Sequence, residues 1–210
     1  PLKENFLFYI DEDTNLHESE LLTTIQLPSK DYLIPSILNL LPNAKRGYRS
    51  GDHEGIDFSA PLNTPITAVS GGIVVRSNPQ HMDVDLDTYN AFLNISAELG
   101  KTPDDIYQYI LLGKSIVIDH GYTITSKFRT ISVYAHLSNI AEGVLPGTVV
   151  EKGDLIGFSG NTGTSDGALR NNKGAHLHWE LHFDDATERY FLGQNIPSNY
   201  LHDNIKILFD

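Results

Sequence analysis

Nine histidines and no cysteine set the chemistry open to this 210-residue chain. Without thiols there is no disulfide framework, no Cys-type zinc knuckle and no thiol nucleophile. Any metal must therefore rest on imidazole and carboxylate groups. The densest cluster is Ala175-His176-Leu177-His178-Trp179-Glu180-Leu181-His182-Phe183. Its alternation is strict: Leu177, Trp179, Leu181 and Phe183 on one face of a strand, His176, His178, Glu180 and His182 on the other. Same-face neighbours in a strand stand about 6.6 Å apart. One imidazole can bind a metal at about 2.1 Å, while the next stays outside the coordination shell, in reach of a water molecule or a developing oxyanion. Taken alone, the pattern also suits a strand with a solvated polar face.

A second group is Gly51-Asp52-His53-Glu54-Gly55-Ile56-Asp57-Phe58. It superficially resembles His-Glu-x-x-His, but Asp57 stands at the second His and Gly55 disfavours a helix. His53 and Asp57 reach one ion only if the chain bends near Gly55, which glycine permits. Glu54 ranks low as a base because its neighbours set it off the Asp57 face. In Ser132-Val133-Tyr134-Ala135-His136-Leu137 the alternation turns Val133, Ala135 and Leu137 inward and puts Tyr134 and His136 together on the opposite face. Together these pieces read as a catalytic zinc site, one Zn²⁺ per chain. His53, Asp57 and His178 are the ligands, the fourth position is left to water, and His136 and His176 stand unliganded beside it as base and proton or oxyanion donor. The sequence does not say which does which. Glu180 and His182 are placed to orient His178 through its other ring nitrogen; His120 and Tyr134 are candidates for similar supporting contacts. His17, His81 and His202 fall in loop-like contexts and take no role. Asp83, Asp85 and Asp87 alternate like a calcium loop, but Thr88 at the sixth position and Asn94 at the twelfth exclude an EF-hand.

The elements that must position these groups are mostly strands. Short Val/Ile/Thr/Tyr runs broken by glycines predict strands at 66–69, 72–76, 115–119, 131–137, 148–150 and 155–158, an antiparallel sandwich or barrel. The period turns helical from about 87 to 112. A helix capped by Asp87 or Thr88 and ended by Gly100, with a second start at Thr102-Pro103, predicts an inserted helical hairpin. Residues 1–45 differ in texture, with predicted strands at 5–10 and 21–27 and a helix over 31–41 stopped by Pro42. They form an N-terminal extension, part of a preceding domain or a lid. Residues 46–185 hold the site, and 186–210 are a C-terminal extension ending in a strand-like run at 205–209.

On these residues the chain resembles the lysostaphin-type (LytM-like) zinc metallopeptidases, which cut peptide bonds in bacterial peptidoglycan. The resemblance runs from Arg46 to Phe183. It is carried by the ordered series His53-Glu54-Gly55-Ile56-Asp57, Pro65–Val75 with Gly71-Gly72, Val117–Gly121, Tyr134–Ser138, Val150–Gly157, Gly160–Gly163 and His176–Glu180. It implies a mainly β fold, an antiparallel β-sandwich of the lysostaphin-like, duplicated hybrid motif type, with the site in an open groove. It implies zinc on His53, Asp57 and His178, catalysis by His136 and His176, a peptidoglycan peptide as partner, and an extracytoplasmic location. The 87–112 block, the long 165–175 stretch with Ala175 in place of a common Pro, and the extended 122–129 stretch depart from the pattern.

The remaining features exclude other classes. A net charge of −12 without a Lys/Arg cluster argues against nucleic acid. No apolar run approaches the roughly 20 residues of a membrane span, and the start carries no signal-peptide pattern. A chain that begins at Pro1 with Met82 as its only methionine reads as a trimmed or mature piece. Two other readings compete. A non-catalytic cell-wall binding or activator module of the same fold would be expected to lack metal ligands. A lipoyl-like or phosphocarrier barrel, suggested by Gly153-Asp154-Leu155-Ile156-Gly157, leaves His53, Asp57 and His178 unexplained.

Overall fold

The computed structural model describes residues 3–210 and is mainly β. The larger sheet has seven strands. In order these are Val149–Val150, Gly72–Ser77, Ile116–Gly121, Arg129–Ala135, Leu177–Asp184 and Arg189–Phe191, with Ile56–Phe58 also pairing the Leu177–Asp184 strand. A three-stranded sheet holds Leu137–Ile140, Leu155–Ser159 and Pro65–Thr67. The strand pairs of both sheets are antiparallel. The two sheets share one core, in which Ile66 and Ile156 from the smaller meet Ile116, Trp179 and Leu181 from the larger. Each such buried side chain contributes about 1.5–3 kcal/mol relative to exposure.

The Leu177–Asp184 strand is the axis of the molecule. Its apolar face lies in the core as the alternation predicts, but its polar face is buried too. The helical segments between the Gly72–Ser77 and Ile116–Gly121 strands account for part of that cover. A helix runs from Leu86 to Leu99, with Gly100 in the left-handed conformation at its end. Its cap is Asp85, whose side chain accepts from the Thr88 N–H, rather than Asp87 or Thr88. A short helix, Asp104–Ile106, then runs into a π-turn at Tyr107–Leu111. Tyr89, Ile106, Leu111 and Ala168 form a separate apolar cluster that anchors this block.

The N-terminal residues pack onto the same core. Phe6–Tyr9 and Asn15–His17 make a two-stranded sheet, and the Phe8 ring stacks on Phe183 and Tyr190. The helix expected over 31–41 is absent; only one 3-10 turn, Leu38–Leu40, forms there. Pro35 pushes the residue before it toward extended backbone. Leu33, Ile37 and Leu38 are exposed, so of the expected apolar face only Ile34 and Leu41 reach the core, too little burial to repay helix formation. The run at 21–27 makes only isolated bridges, Leu21 to Thr125 and Ile25 to Phe209. Near the other end, Ser198–Lys206 is a helix, and the expected 205–209 strand reduces to that bridge.

The run expected as one strand over 131–137 breaks at His136, which takes a left-handed φ of 59°. This inverts the expected faces. Tyr134 lies opposite Trp179, and Ala135 and Val133 opposite His178 and Glu180, so Tyr134 turns into the core and Val133 and Ala135 face the polar side. The kink at His136 then returns that imidazole to the polar face, beside His178.

Candidate metal centre

Three segments bring His53, Asp57 and His178 together. Asp57 sits directly across from His178 in the antiparallel register, so both side chains project from the same face. Gly55 allows the loop before Asp57 to fold onto this strand: a Cβ there would lie 2.5 Å from the Trp179 carbonyl oxygen and 2.9 Å from His178 Cε1. His53 enters from that loop. The expected bend at Gly55 is therefore present, and its cause is close backbone approach.

The three inward atoms form a tight triangle. Asp57 Oδ1 lies 3.0 Å from His53 Nε2 and 2.8 Å from His178 Nδ1, and the two nitrogens are 3.0 Å apart. The outward nitrogens are already committed. His53 Nδ1 donates to the Leu41 carbonyl at 2.9 Å, which leaves the lone pair of its Nε2 pointing inward. His178 Nε2 donates to Glu180 Oε1 at 2.8 Å. Two imidazole lone pairs and a carboxylate oxygen thus converge on one point, an arrangement that needs a cation or a proton between them. All three are nitrogen or oxygen donors of the kind zinc accepts, so the residues fit the metal.

The electrostatics agree. Burial alone would raise Asp57, but hydrogen bonds with His178 and His53 hold its carboxyl well below the usual range. Arg46 fixes the other oxygen, with Nη2 at 3.1 Å from Asp57 Oδ2 and at 2.9 Å from the Asn39 carbonyl. Burial lowers His53. Burial likewise opposes charge on His178, but its hydrogen bonds to Asp57 and Glu180 outweigh it and raise the pKa to about 9. In the metal-free cluster a proton on His178 therefore occupies the place open to a cation. Behind His178, the buried Glu180 carboxylate accepts on both oxygens, from His178 and the Tyr107 hydroxyl at Oε1 and from His182 Nε2 at Oε2, 2.7 Å away.

His136 and His176 lie on the open side of the triangle, with ring centroids 4.7 Å apart. His136 Nδ1 donates to the Thr162 carbonyl at 2.8 Å, leaving Nε2 free. Burial, reinforced by the neighbouring His176 and His178, pushes the His136 pKa well below that of an ordinary histidine. His176 Nδ1 donates to the Gly174 carbonyl at 2.8 Å, and its Nε2 lies 3.8 Å from Asp57 Oδ1. Five residues singled out in the sequence are thus neighbours in one cluster.

The supporting residues divide. Glu180 touches His178 as expected, and His182 reaches it only through Glu180. His120 bonds instead to the Gly71 carbonyl and Ser132 Oγ, and the Tyr134 hydroxyl accepts from the Val69 N–H. Both hold strands together rather than ligands, Tyr134 because of the inverted face. Glu54 sits with Glu180 and His182 on the far side of His178, its pKa raised by burial and by Glu180. Sequence reasoning missed Arg46, Leu41, Thr162 and Tyr107. Their contacts are backbone carbonyls or long-range hydrogen bonds that no local spacing reveals.

The cluster opens into a cleft of about 480 Å³. Its walls include Tyr89, Leu93 and Tyr107 from the helical block and Thr164 and Asp166 from the loop before His176. The model of peptidase family M23 matches residues 51–189. Peptidoglycan DD-endopeptidase ShyA of Vibrio cholerae is 30% identical over 135 residues, 63% of this chain and 21% of that protein. An uncharacterized metalloprotease of Buchnera aphidicola is 29% identical over 133 residues, 63% of this chain and 24% of its own length. The chain thus spans less than a quarter of the curated relatives it matches. Among solved structures, a zinc-containing peptidase from Vibrio cholerae aligns with a TM-score of 0.48 at 21% identity, covering 77% of this chain and 37% of that one. The lysostaphin catalytic domain from Staphylococcus simulans aligns with a TM-score of 0.40 at 22% identity, covering 65% of this chain and 71% of that one.

Proposed function

The chain belongs to peptidase family M23, and on that premise we propose that it is a zinc-dependent endopeptidase that hydrolyses peptide bonds in bacterial cell-wall peptidoglycan. The observation that carries this reading is the convergence of His53 Nε2, Asp57 Oδ1 and His178 Nδ1 on one point at the floor of a cleft, with His136 and His176 beside it. A relative named as a peptidoglycan DD-endopeptidase supports the choice of substrate. In this reading the two sheets form the lysostaphin-like sandwich, the block at 87–112 is a helical hairpin, and the protein works outside the cytoplasm. Among the described residues no helix is long and apolar enough to cross a membrane.

His53, Asp57 and His178 would hold the zinc ion, which would supply Lewis acidity toward a carbonyl oxygen and a lowered pKa for a water molecule. The chain's own residues do the rest. His136, kept neutral by burial and held in one tautomer by Thr162, accepts the proton of the attacking water at Nε2. His136 then gives that proton from Nε2 to the leaving amine, while His176, whose Nδ1 donates to Gly174, offers its Nε2 lone pair as a second acceptor that orients the attacking water. Arg46 and Glu180 keep the carboxylate and the ring of the ligands in place.

The test is digestion of purified peptidoglycan of several cross-link types, with and without EDTA, read by mass spectrometry of released peptides. New amino termini that disappear on chelation are expected. Release of no peptide from any type, by protein that holds zinc, would favour a non-catalytic module.

A further inference from the structure

The helical block departs from the residue pattern that carries the resemblance, yet it reaches the site by two routes. Tyr107, on its π-turn, donates its hydroxyl to Glu180 Oε1. That oxygen, 73 residues further along the chain from Tyr107, also accepts from His178 Nε2. Glu180 is 2% exposed, and its other oxygen is taken by His182, so each partner limits rotation of the carboxylate. On its other side the Tyr107 ring lies under the Arg49 guanidinium, 4.8 Å from ring centroid to Cζ. Arg49 donates to the Asp52 carbonyl at 2.5 Å, immediately before His53, and to Thr102 Oγ1 of the block at 3.3 Å. Thr102 in turn donates to the Arg49 carbonyl. Gly51 leaves room for this arm: a Cβ there would stand 2.6 Å from Arg49 Nη1.

We infer that the inserted block is a working part of the metal centre, with Tyr107 a positioning residue that sets the orientation of His178 through Glu180. Loss of the hydroxyl leaves Glu180 Oε1 with His178 as its only partner and the carboxylate held by two contacts in place of three. The ring nitrogen aimed at zinc is then less firmly directed, although no ligand has been removed. Contacts of this kind are worth about 10–100-fold in metal affinity.

The inference rests on the zinc reading above, and the experiment separates the two. Zinc affinity of the full chain is measured by competition with a chromophoric chelator for the wild type, Tyr107→Phe, Glu180→Gln and the double variant. Tyr107→Phe is expected to weaken zinc binding about tenfold. The double variant is expected to bind no more weakly than Glu180→Gln alone, since both act through one carboxylate. Ile106→Val, in the block's apolar cluster, is expected to lower the melting temperature but keep wild-type zinc affinity. Wild-type affinity in Tyr107→Phe, additive losses in the double variant, or an equal loss in Ile106→Val would each overturn the inference while leaving the zinc reading intact. A wild type that binds no zinc would overturn both.

Discussion

Asp57 and His178 are direct partners across adjacent antiparallel strands, and Asp57 Oδ1 stands 2.8 Å from His178 Nδ1. The sheet register itself thus sets two of the three proposed ligands side by side, and only His53 depends on a loop. Asp57→Ala and His178→Ala should each abolish stoichiometric zinc while leaving the apolar face of the strand intact. Elemental analysis of purified variants checks this; a variant that retains one zinc per chain removes that residue from the ligand set.

His136→Ala and His176→Ala should keep zinc and lose turnover. Positioned proton transfer contributes about 10²–10⁴-fold, so kcat is expected to fall by that order in each. Unaltered turnover in either variant takes that residue out of the mechanism.

Zinc binding should compete with protons. His178 holds a proton with a pKa of about 9 when no metal is present, and that proton must leave before its nitrogen can coordinate. Below that pH each bound zinc displaces about one proton, so the zinc Kd should fall about tenfold per pH unit as pH rises. Isothermal titration at pH 6, 7 and 8 in two buffers of different ionisation enthalpy reads the released proton directly. A pH-independent Kd would contradict a proton held by His178 in the metal-free cluster.

Gly55→Ala should damage the site from the backbone. Its methyl would meet the Trp179 carbonyl oxygen at 2.5 Å, so the His53 loop must lift off the strand. Overpacking of this kind costs about 1–3 kcal/mol. Thermal melts with and without zinc should show the larger loss in the zinc-loaded protein, because the distance from His53 to the other ligands grows. An equal melting temperature to wild type would show that the loop has slack.

The site was legible in the sequence where its logic is local. Period-two alternation from His176 to Phe183 separates core from polar residues without reference to the rest of the chain, and a glycine between His53 and Asp57 signals the bend. What was not legible depends on the tertiary fold. The left-handed turn at His136 carries no glycine to announce it, so strict alternation puts Tyr134 on the wrong face. Helical spacing in 31–41 is real, but of the apolar residues that make it only Ile34 and Leu41 reach the core while Leu33, Ile37 and Leu38 stay exposed; apart from one 3-10 turn the segment is irregular and delivers Asn39 to Arg46 and the Leu41 carbonyl to His53. Tyr107 could not be foreseen, because its partner Glu180 is brought to it only by the packing of the inserted block.

The central claim is that one zinc per chain, held by His53, Asp57 and His178, drives hydrolysis of a cell-wall peptide bond. Titrating metal-free protein with zinc while following cleavage of cross-linked peptidoglycan fragments by mass spectrometry tests metal, stoichiometry and bond together. Cleavage should be absent without metal, rise in proportion to zinc and level off at one equivalent per chain. Cleavage that is undiminished in the metal-free protein, or none at any zinc level while one equivalent is bound, would contradict the account.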